Sequence, residues 1–217
     1  MILAVAGGKG GVGKSTVAFS LAGATDAVLV DADLGMADLP TGRGPDLHDV
    51  LAGRAEPCEV VRGGPVDIVP CGRSLAGARA ADVTRLADAL EALAAEFGDV
   101  IVDCPAGLSA DVGVPLAVAD ACLLVASPRR FALADAIRTR ELARELDAGL
   151  VAVALNRTGP NPPTAAVRRA VGAPVVAVPT ADTLRRSVTT GEPVAPTESS
   201  PAGDAVADLV AALRRCR

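Results

Sequence analysis

Residues 7–16 read GGKGGVGKST, and they hold both lysines of the chain, Lys9 and Lys14. Within this stretch the pattern G-x-x-x-x-G-K-[ST] of a phosphate-binding loop is complete. An apolar run at residues 2–6 precedes the loop, and a run that can continue as a helix follows it at residues 16–22. Because a strand, a loop and a helix in this order aim backbone N–H groups and the positive end of the helix at an anion, the segment predicts a di- or triphosphate site. The alternative is a glycine-rich turn that matches by accident, and the flanking context disfavours it.

Each position of the loop has an expected task. Lys14 is placed to reach the outer phosphates, and the Ser15 hydroxyl is placed to ligate Mg²⁺. The backbone that would surround the phosphates comes from Gly8, Lys9, Gly10, Gly11, Val12 and Gly13. Lysine occurs only in this loop, since every other cation among the 21 lysines and arginines is an arginine. A compact ammonium on a slim stem fits a tight backbone turn better than a planar guanidinium does.

Length and composition predict one domain over residues 1–217, with ample material for a core. No apolar run approaches the roughly 18 residues of a membrane span. The N-terminus passes directly into the first apolar run, which leaves no room for a signal peptide, so we expect a cytoplasmic protein. The five cysteines form no C-x-x-C pair, which argues against zinc and iron–sulfur sites and favours ordinary reduced thiols.

The charge balance bears on nucleic-acid binding. The formal net charge is −5, and the chain has no tryptophan or tyrosine and only three phenylalanines. Stacking on single-stranded nucleic acid is therefore disfavoured. Arginine pairs such as Arg129 with Arg130 and Arg185 with Arg186 leave non-specific duplex DNA as a possible partner, but solvated helix faces are the favoured interpretation.

Short apolar runs alternate with helical patterns along the chain. Beyond residues 2–6, strands are predicted at residues 27–30, 66–69, 100–102, 121–125, 150–155 and 175–178. Between them, Val83, Leu86, Leu90, Leu93 and Phe97 mark one apolar helical stripe. The repeated βα order predicts an α/β fold, a mainly parallel β-sheet with helices on both faces, and ligands at the carboxyl ends of the strands.

Aspartates follow two of these strands. Asp31 and Asp33 end the second strand, and Asp103 ends the fourth. An aspartate in this position beside a phosphate-binding loop typically holds Mg²⁺, directly or through water, so Asp103 and Asp31 are candidates for the metal and Asp33 for orienting a water. The alternative is that these aspartates only cap helices. That interpretation has most weight for Asp38, which is also the second candidate for the water.

Three segments together resemble the deviant Walker A ATPases of the MinD/ParA family: residues 9–16, KGGVGKST; residues 31–35, DADLG; and residues 103–107, DCPAG. Shorter motifs stand in the same order as in that family. They are LHDVLAG at 47–53, VPCG at 69–72, SP at 127–128 before ADA at 134–136, NR at 156–157 and GEPV at 191–194. One departure is that Leu39 and Pro40 follow Asp38 where more acids or amides are usual, which leaves the geometry of this segment open.

The resemblance implies a P-loop NTPase fold of the SIMIBI type that uses ATP and Mg²⁺. The resemblance also implies that Thr16 contacts the α-phosphate. It places Asn156 and Arg157 at the adenine, with Pro179 and Thr180 closing over the base. Lys9 is the signature lysine that reaches the nucleotide of a partner subunit, so Lys9, Lys14 and Asp33 form the catalytic set.

The expected function is an ATP-binding, slowly hydrolysing switch that dimerises with ATP and positions or partitions a cellular cargo. The protein cargo or activator is unidentified. The apolar residues of the last segment, residues 206–213, are expected to pack on the core and not to bind a membrane surface. Two alternatives remain: a nucleotide-binding regulator without significant hydrolysis, and an ATP-dependent amide-forming ligase of the same superfamily.

Overall fold

The computed structural model describes residues 1–35, 39, 42–72, 74–107 and 110–216. Its sheet has the strand order β3-β2-β4-β1-β5-β6-β7, and every pairing between these strands is parallel. The strands are β1 Ile2–Ala6, β2 Val28–Asp31, β3 Ile68–Val69, β4 Val100–Asp103, β5 Ala121–Ala126, β6 Gly149–Thr158 and β7 Val175–Pro179. The parallel sheet predicted from the alternating pattern is confirmed.

Helices connect the strands. They are α1 Lys14–Thr25, α2 Leu47–Leu51, α3 Leu75–Ala80, α4 Leu86–Phe97, α5 Ala110–Val118, α6 Arg130–Glu145, α7 Thr164–Val171, α8 Asp182–Thr190 and α9 Pro201–Arg214. Short 3₁₀ turns occupy Pro57–Val60 and Val83–Arg85.

Helices cover both faces of the sheet. The side chains of β1 show this, since they alternate between two buried clusters, one on each face. Ala4 and Ala6 join one cluster, to which α2, α4, α5, α6 and α7 contribute. Leu3 and Val5 join the other, to which α1, α8 and α9 contribute. This arrangement confirms helices on both faces and explains why the strands read as unbroken apolar runs.

The last helix, α9, packs on the core as expected. Val206, Leu209, Val210 and Leu213 are each at most 6% exposed and join the cluster that covers α1. Burying a side chain of this size stabilises the fold by about 1.5–3 kcal/mol. Across the described residues, no helix has the length and apolarity needed to cross a bilayer.

Two local predictions need correction. Val83 lies in a 3₁₀ turn ahead of α4, and Phe97 is 39% exposed although Leu90 and Leu93 are fully buried. Phe97 falls in the last turn of α4, where the chain leaves the helix through Gly98 at φ 87°. The strand predicted over residues 66–69 is confined to residues 68–69, which are the two residues that pair with β2.

Strand β1 lies at the place in the sheet where the order of the strands reverses. It pairs with β4 on one side and with β5 on the other, so the connections leave the two flanks of β1 in opposite directions. Ligands of open α/β sheets bind at such a switch point, outside the carboxyl ends of the strands. The GGKGGVGKST segment leaves β1 at that place.

Candidate nucleotide-binding site

The loop after β1 has the backbone conformation of a phosphate cradle. Gly11 and Gly13 have φ values of 75° and 93°, a region that glycine enters without the penalty of a Cβ. Helix α1 begins at Lys14 directly after Gly13, so its first N–H groups face the loop. The side chain of Lys14 is buried, whereas Lys9 is exposed. The two lysines of the chain therefore lie in different environments of one loop.

Two glycines at the start of the loop allow close packing. A Cβ on Gly7 would lie 2.6 Å from the carbonyl oxygen of Val125 on β5. A Cβ on Gly8 would lie 2.5 Å from the carbonyl oxygen of Asp135 on α6. The backbone of the loop is thus held against β5 and α6. The sequence offered Asp135 only as part of a short motif, with no sign that it touches the loop.

Asn156 ties the far end of β6 to the same loop. Its Nδ2 donates to the carbonyl oxygen of Val12 at 2.8 Å, and its Oδ1 accepts from the Arg157 N–H at 2.8 Å. A Cβ on Gly13 would collide with this Nδ2. The Asn156 contact with adenine remains a prediction. The hydrogen bond to Val12 is a role that sequence analysis missed, because 144 residues separate the partners.

A cavity of about 210 Å³ brings together five of the residues predicted to bind the nucleotide. Its lining comprises Thr16, Asn156, Arg157, Pro179, Thr180, Ala181, Asp182, Leu184 and Arg185. A second cavity, of about 310 Å³, adjoins the first and shares Arg157 and Thr180 with it. Lys9, Gly10, Gly11 and Val12 line it together with the cations Arg129 and Arg157. A nucleotide polyphosphate would fit the glycine-rich loop, the 210 Å³ cavity and the buried ammonium of Lys14.

Asp31 and Asp103 lie side by side next to the loop. They are direct partners in the β2–β4 register, and Asp103 is the partner of Val5 in the β1–β4 register. Asp31 is fully buried and Asp103 is 2% exposed. Burial, and after it the charge of Asp103, raises the pKa of Asp31 to about 7. Two adjacent buried carboxylates are hard oxygen ligands that a divalent cation would suit.

The described residues contain no group of three or more histidine, cysteine, aspartate and glutamate side chains that could hold a metal by themselves. Mg²⁺ usually keeps several waters and takes only one or two protein carboxylates along with substrate phosphates. Ser15, half-buried at the start of α1, and the two aspartates fit that partial ligand set.

Asp33 lies two residues after Asp31 in the chain. It is half-buried, and its N–H donates to Asp31 Oδ1 at 3.2 Å. Asp31 Oδ2 accepts from the Leu39 N–H at 3.4 Å, which brings the chain back to the end of β2. Asp38, the second candidate for orienting a water, lies outside the described residues.

Comparison with known proteins agrees with this geometry. The model of the CobQ/CobB/MinD/ParA nucleotide-binding domain matches residues 3–194. An uncharacterised ATP-binding protein of Methanocaldococcus jannaschii is 37% identical over 171 residues, which are 73% of this chain. The match spans 65% of the length of that relative.

Two solved structures are similar over nearly the whole chain. The cell division ATPase MinD of Pyrococcus furiosus has a TM-score of 0.90 at 27% identity, and the alignment covers 100% of this chain and 99% of MinD. The septum site-determining protein MinD of Pyrococcus horikoshii, complexed with Mg-ADP, has a TM-score of 0.88 at 26% identity, with 98% and 96% covered.

Proposed function

Since the chain belongs to the CobQ/CobB/MinD/ParA family of nucleotide-binding domains, we propose that it is a molecular switch that binds ATP and hydrolyses it slowly. The switch dimerises in the ATP-bound form and positions or partitions a protein cargo. The observation that carries this proposal is the contrast between its two lysines. Lys14 is buried at the start of α1, whereas Lys9 is exposed beside Arg129 and Arg157.

ATP binding would use the buried Lys14 and the 210 Å³ cavity. Lys14 neutralises the outer phosphates, Thr16 contacts the α-phosphate, and the N–H groups of residues 10–15 surround the chain of phosphates. The 210 Å³ cavity continues from Thr16 to Asn156, Arg157, Pro179 and Thr180, and it supports placing the base there. Two relatives support ATP as the nucleotide, since one is called ATP-binding and another was solved with Mg-ADP.

Ser15 and the two buried aspartates would hold magnesium. Asp31 and Asp103 place two carboxylates next to each other in the interior, an arrangement that is costly without a compensating cation. When bound, the ion supplies positive charge that offsets the phosphates. The Ser15 hydroxyl would give it one ligand from the loop, and the aspartates would hold it directly or through water.

Hydrolysis would depend on Asp33. Its carboxylate orients a water whose oxygen bonds to the γ-phosphorus, while the bond from that phosphorus to the oxygen bridging to the β-phosphate breaks. The products are ADP and phosphate, and the proton of the water leaves with the phosphate or to solvent. We expect a rate on the order of one turnover per minute, far below the roughly 1–1000 per second of typical enzymes. A long-lived ATP state suits a switch.

Dimerisation would use Lys9 and the 310 Å³ cavity that it lines. In this cavity Arg129 and Arg157 add positive charge. Under two-fold symmetry each Lys9 meets the phosphates of the other subunit. The γ-phosphate and the partner's charge then stabilise the same closed state, so ATP shifts the population toward the dimer.

Light scattering coupled to size exclusion tests the dimer. Wild type should be a monomer with ADP and a dimer with ATP, most clearly in Asp33→Ala, which should bind ATP without cleaving it. In that background Lys9→Ala should bind ATP and stay monomeric. Lys9→Arg is the matched control for charge: it should also stay monomeric, since the planar guanidinium does not fit the place of the slim ammonium.

Calorimetry and phosphate release test the nucleotide chemistry. Lys14→Ala should abolish ATP binding or weaken it severely, and unchanged affinity would refute the assignment of the loop. Phosphate release that required a small carboxylic acid would instead support the amide-forming ligase. A wild type whose oligomeric state ignores the nucleotide would refute the switch.

A further inference from the structure

A buried histidine–cysteine pair lies beside the segment that carries Asp33. His48 on α2 is 3% exposed, and Cys71, after β3, is 1% exposed. Cys71 Sγ donates to the carbonyl oxygen of Asp33 at 3.0 Å. His48 Nε2 lies 3.2 Å from the carbonyl oxygen of Leu34 and 3.7 Å from Cys71 Sγ. Since a carbonyl only accepts, Nε2 carries the hydrogen. Two successive carbonyls of one segment are therefore held by two buried donors.

The fold keeps this pair in a fixed place. The His48 N–H donates to the carbonyl oxygen of Cys71 at 3.1 Å, and the Leu47 N–H donates to that of Pro70 at 2.9 Å, so α2 is docked on the end of β3. Two glycines leave room for the imidazole. A Cβ on Gly72 would collide with the ring, and a Cβ on Gly77 would lie 2.9 Å from Nδ1.

The imidazole also carries a cost. His48 Nδ1 is buried and has no hydrogen-bond partner among the described residues. Burying an unsatisfied polar atom is unfavourable, and an apolar side chain of similar size would avoid it. Packing alone therefore does not account for a histidine here. Its contact with the carbonyl of Leu34 is the interaction that an apolar residue cannot make.

Asp33 is held from both sides by side chains. Its N–H donates to Asp31 Oδ1 at 3.2 Å, and its carbonyl accepts from Cys71. The backbone at Asp33 is thus fixed by a candidate metal ligand on one side and by the thiol on the other. Burial raises the pKa of the Cys71 thiol well above its usual range, so the donor keeps its hydrogen.

We propose that Cys71 and His48 are positioning residues for ATP hydrolysis: they hold the carbonyls of Asp33 and Leu34 so that the Asp33 carboxylate keeps its direction toward the water. This inference rests on the proposed function. Neither residue touches the nucleotide in this scheme, so losing their hydrogen bonds should slow hydrolysis and leave ATP binding intact. A misplacement of about 1 Å at a catalytic group can cost about 100-fold in rate.

Cys71→Ala removes the donor, Cys71→Ser keeps a hydroxyl donor, and Cys122→Ala is the matched control. Cys122 is equally buried, on β5, with its side chain in the sheet core. We expect Cys71→Ala to hydrolyse ATP about 10- to 100-fold more slowly and to bind ATP within about twofold of wild type. Cys71→Ser should recover most of the rate, and Cys122→Ala should keep it.

Amide exchange provides a readout that does not depend on activity. In nucleotide-free protein, NMR should show faster exchange of the Asp33, Leu34 and Gly35 amides in Cys71→Ala than in wild type or Cys122→Ala. His48→Gln, which keeps a donor near the Nε2 position, and His48→Leu, which removes it, form a second pair. If Cys71→Ala does not fold, the same criteria apply to that pair.

The outcomes separate this inference from the proposed function. A wild type that hydrolyses ATP, with Cys71→Ala and His48→Leu at the same rate, would overturn the positioning role alone. If Cys71→Ala and His48→Leu lost ATP affinity by the same factor as they lost hydrolysis rate, the positioning role would also be overturned, because this would indicate a general structural role. A wild type without ATP hydrolysis would overturn the proposed ATPase, and the positioning role with it.

Discussion

Replacing Asp31 by asparagine should remove a pH-dependent loss of stability from the nucleotide-free protein. Burial, and after it the charge of Asp103, raises the pKa of Asp31 from 3.8 to about 7. The folded protein therefore binds this proton more tightly than the unfolded chain does. By linkage, stability falls as pH rises from about 4 to about 7 and stays reduced above that range. Asparagine has no such proton, so the variant lacks this fall.

The size of the effect follows from the shift. Each pKa unit corresponds to about 1.4 kcal/mol, so the raised pKa of Asp31 lowers the free energy of unfolding by about 4 kcal/mol above pH 7. Between pH 5 and pH 8 the loss grows by about 3 kcal/mol. Asparagine has one acceptor oxygen for the N–H groups of Asp33 and Leu39, and losing one bond costs about 1–3 kcal/mol. Comparing two pH values separates the charge effect from that cost.

Urea unfolding with EDTA present, at pH 5 and pH 8, measures this difference. The free energy of unfolding of Asp31→Asn, relative to wild type, should increase by about 3 kcal/mol from the lower to the higher pH. Asp208→Asn changes an exposed carboxylate on α9 and should stay within about 0.5 kcal/mol of wild type. The same relative stability of Asp31→Asn at both pH values would refute the reasoning that burial beside Asp103 holds the proton.

Three further changes test the loop and the core. Gly13→Ala should abolish ATP binding in calorimetry, because φ is 93° and the new Cβ collides with Asn156; retained binding would contradict the cradle. Asn156→Ala should lower the free energy of unfolding in urea by about 1–3 kcal/mol through the lost bond to Val12, and an unchanged value would mean that this bond adds nothing. Leu213→Ala should lower the free energy of unfolding by about 2–5 kcal/mol. Phe97→Ala should cost less, since Phe97 is 39% exposed; an equal cost would show that exposure is a poor guide at this helix end.

The strands were predictable because a parallel sheet with both faces covered makes each strand an unbroken apolar run. The position of Asp31 beside Asp103 was predictable as well, since each residue ends a strand and the ends of parallel strands meet at one edge. Phe97 shows the limit of this reasoning. Its spacing fits the stripe of α4, but spacing does not tell where the covering core ends.

Hydrogen bonds from side chains to the backbone of distant segments were not predictable. Asn156 meets Val12 across 144 residues, and Cys71 meets Asp33 across 38. Nothing local marks either pair, because the partner in each case is a backbone carbonyl that every residue carries. His48 and Cys71 appeared in the sequence only as members of short motifs. Their contacts with the carbonyls of Leu34 and Asp33 depend on the pairing of β2 with β3.

The edges of the sheet restrict how copies of this protein can associate. At one edge β3 has two residues, and both backbone groups of Ile68 already bond to Arg62. At the other edge β7 ends in Pro179, and proline has no N–H to offer a neighbouring strand. The β3 margin therefore presents little template for the edge-to-edge pairing that drives aggregation, and at the β7 margin such pairing would stop at Pro179. A dimer that extended the sheet at β3 would find the backbone groups of Ile68 already bonded, whereas one formed through the loops at the carboxyl ends of the strands could respond to a bound ligand.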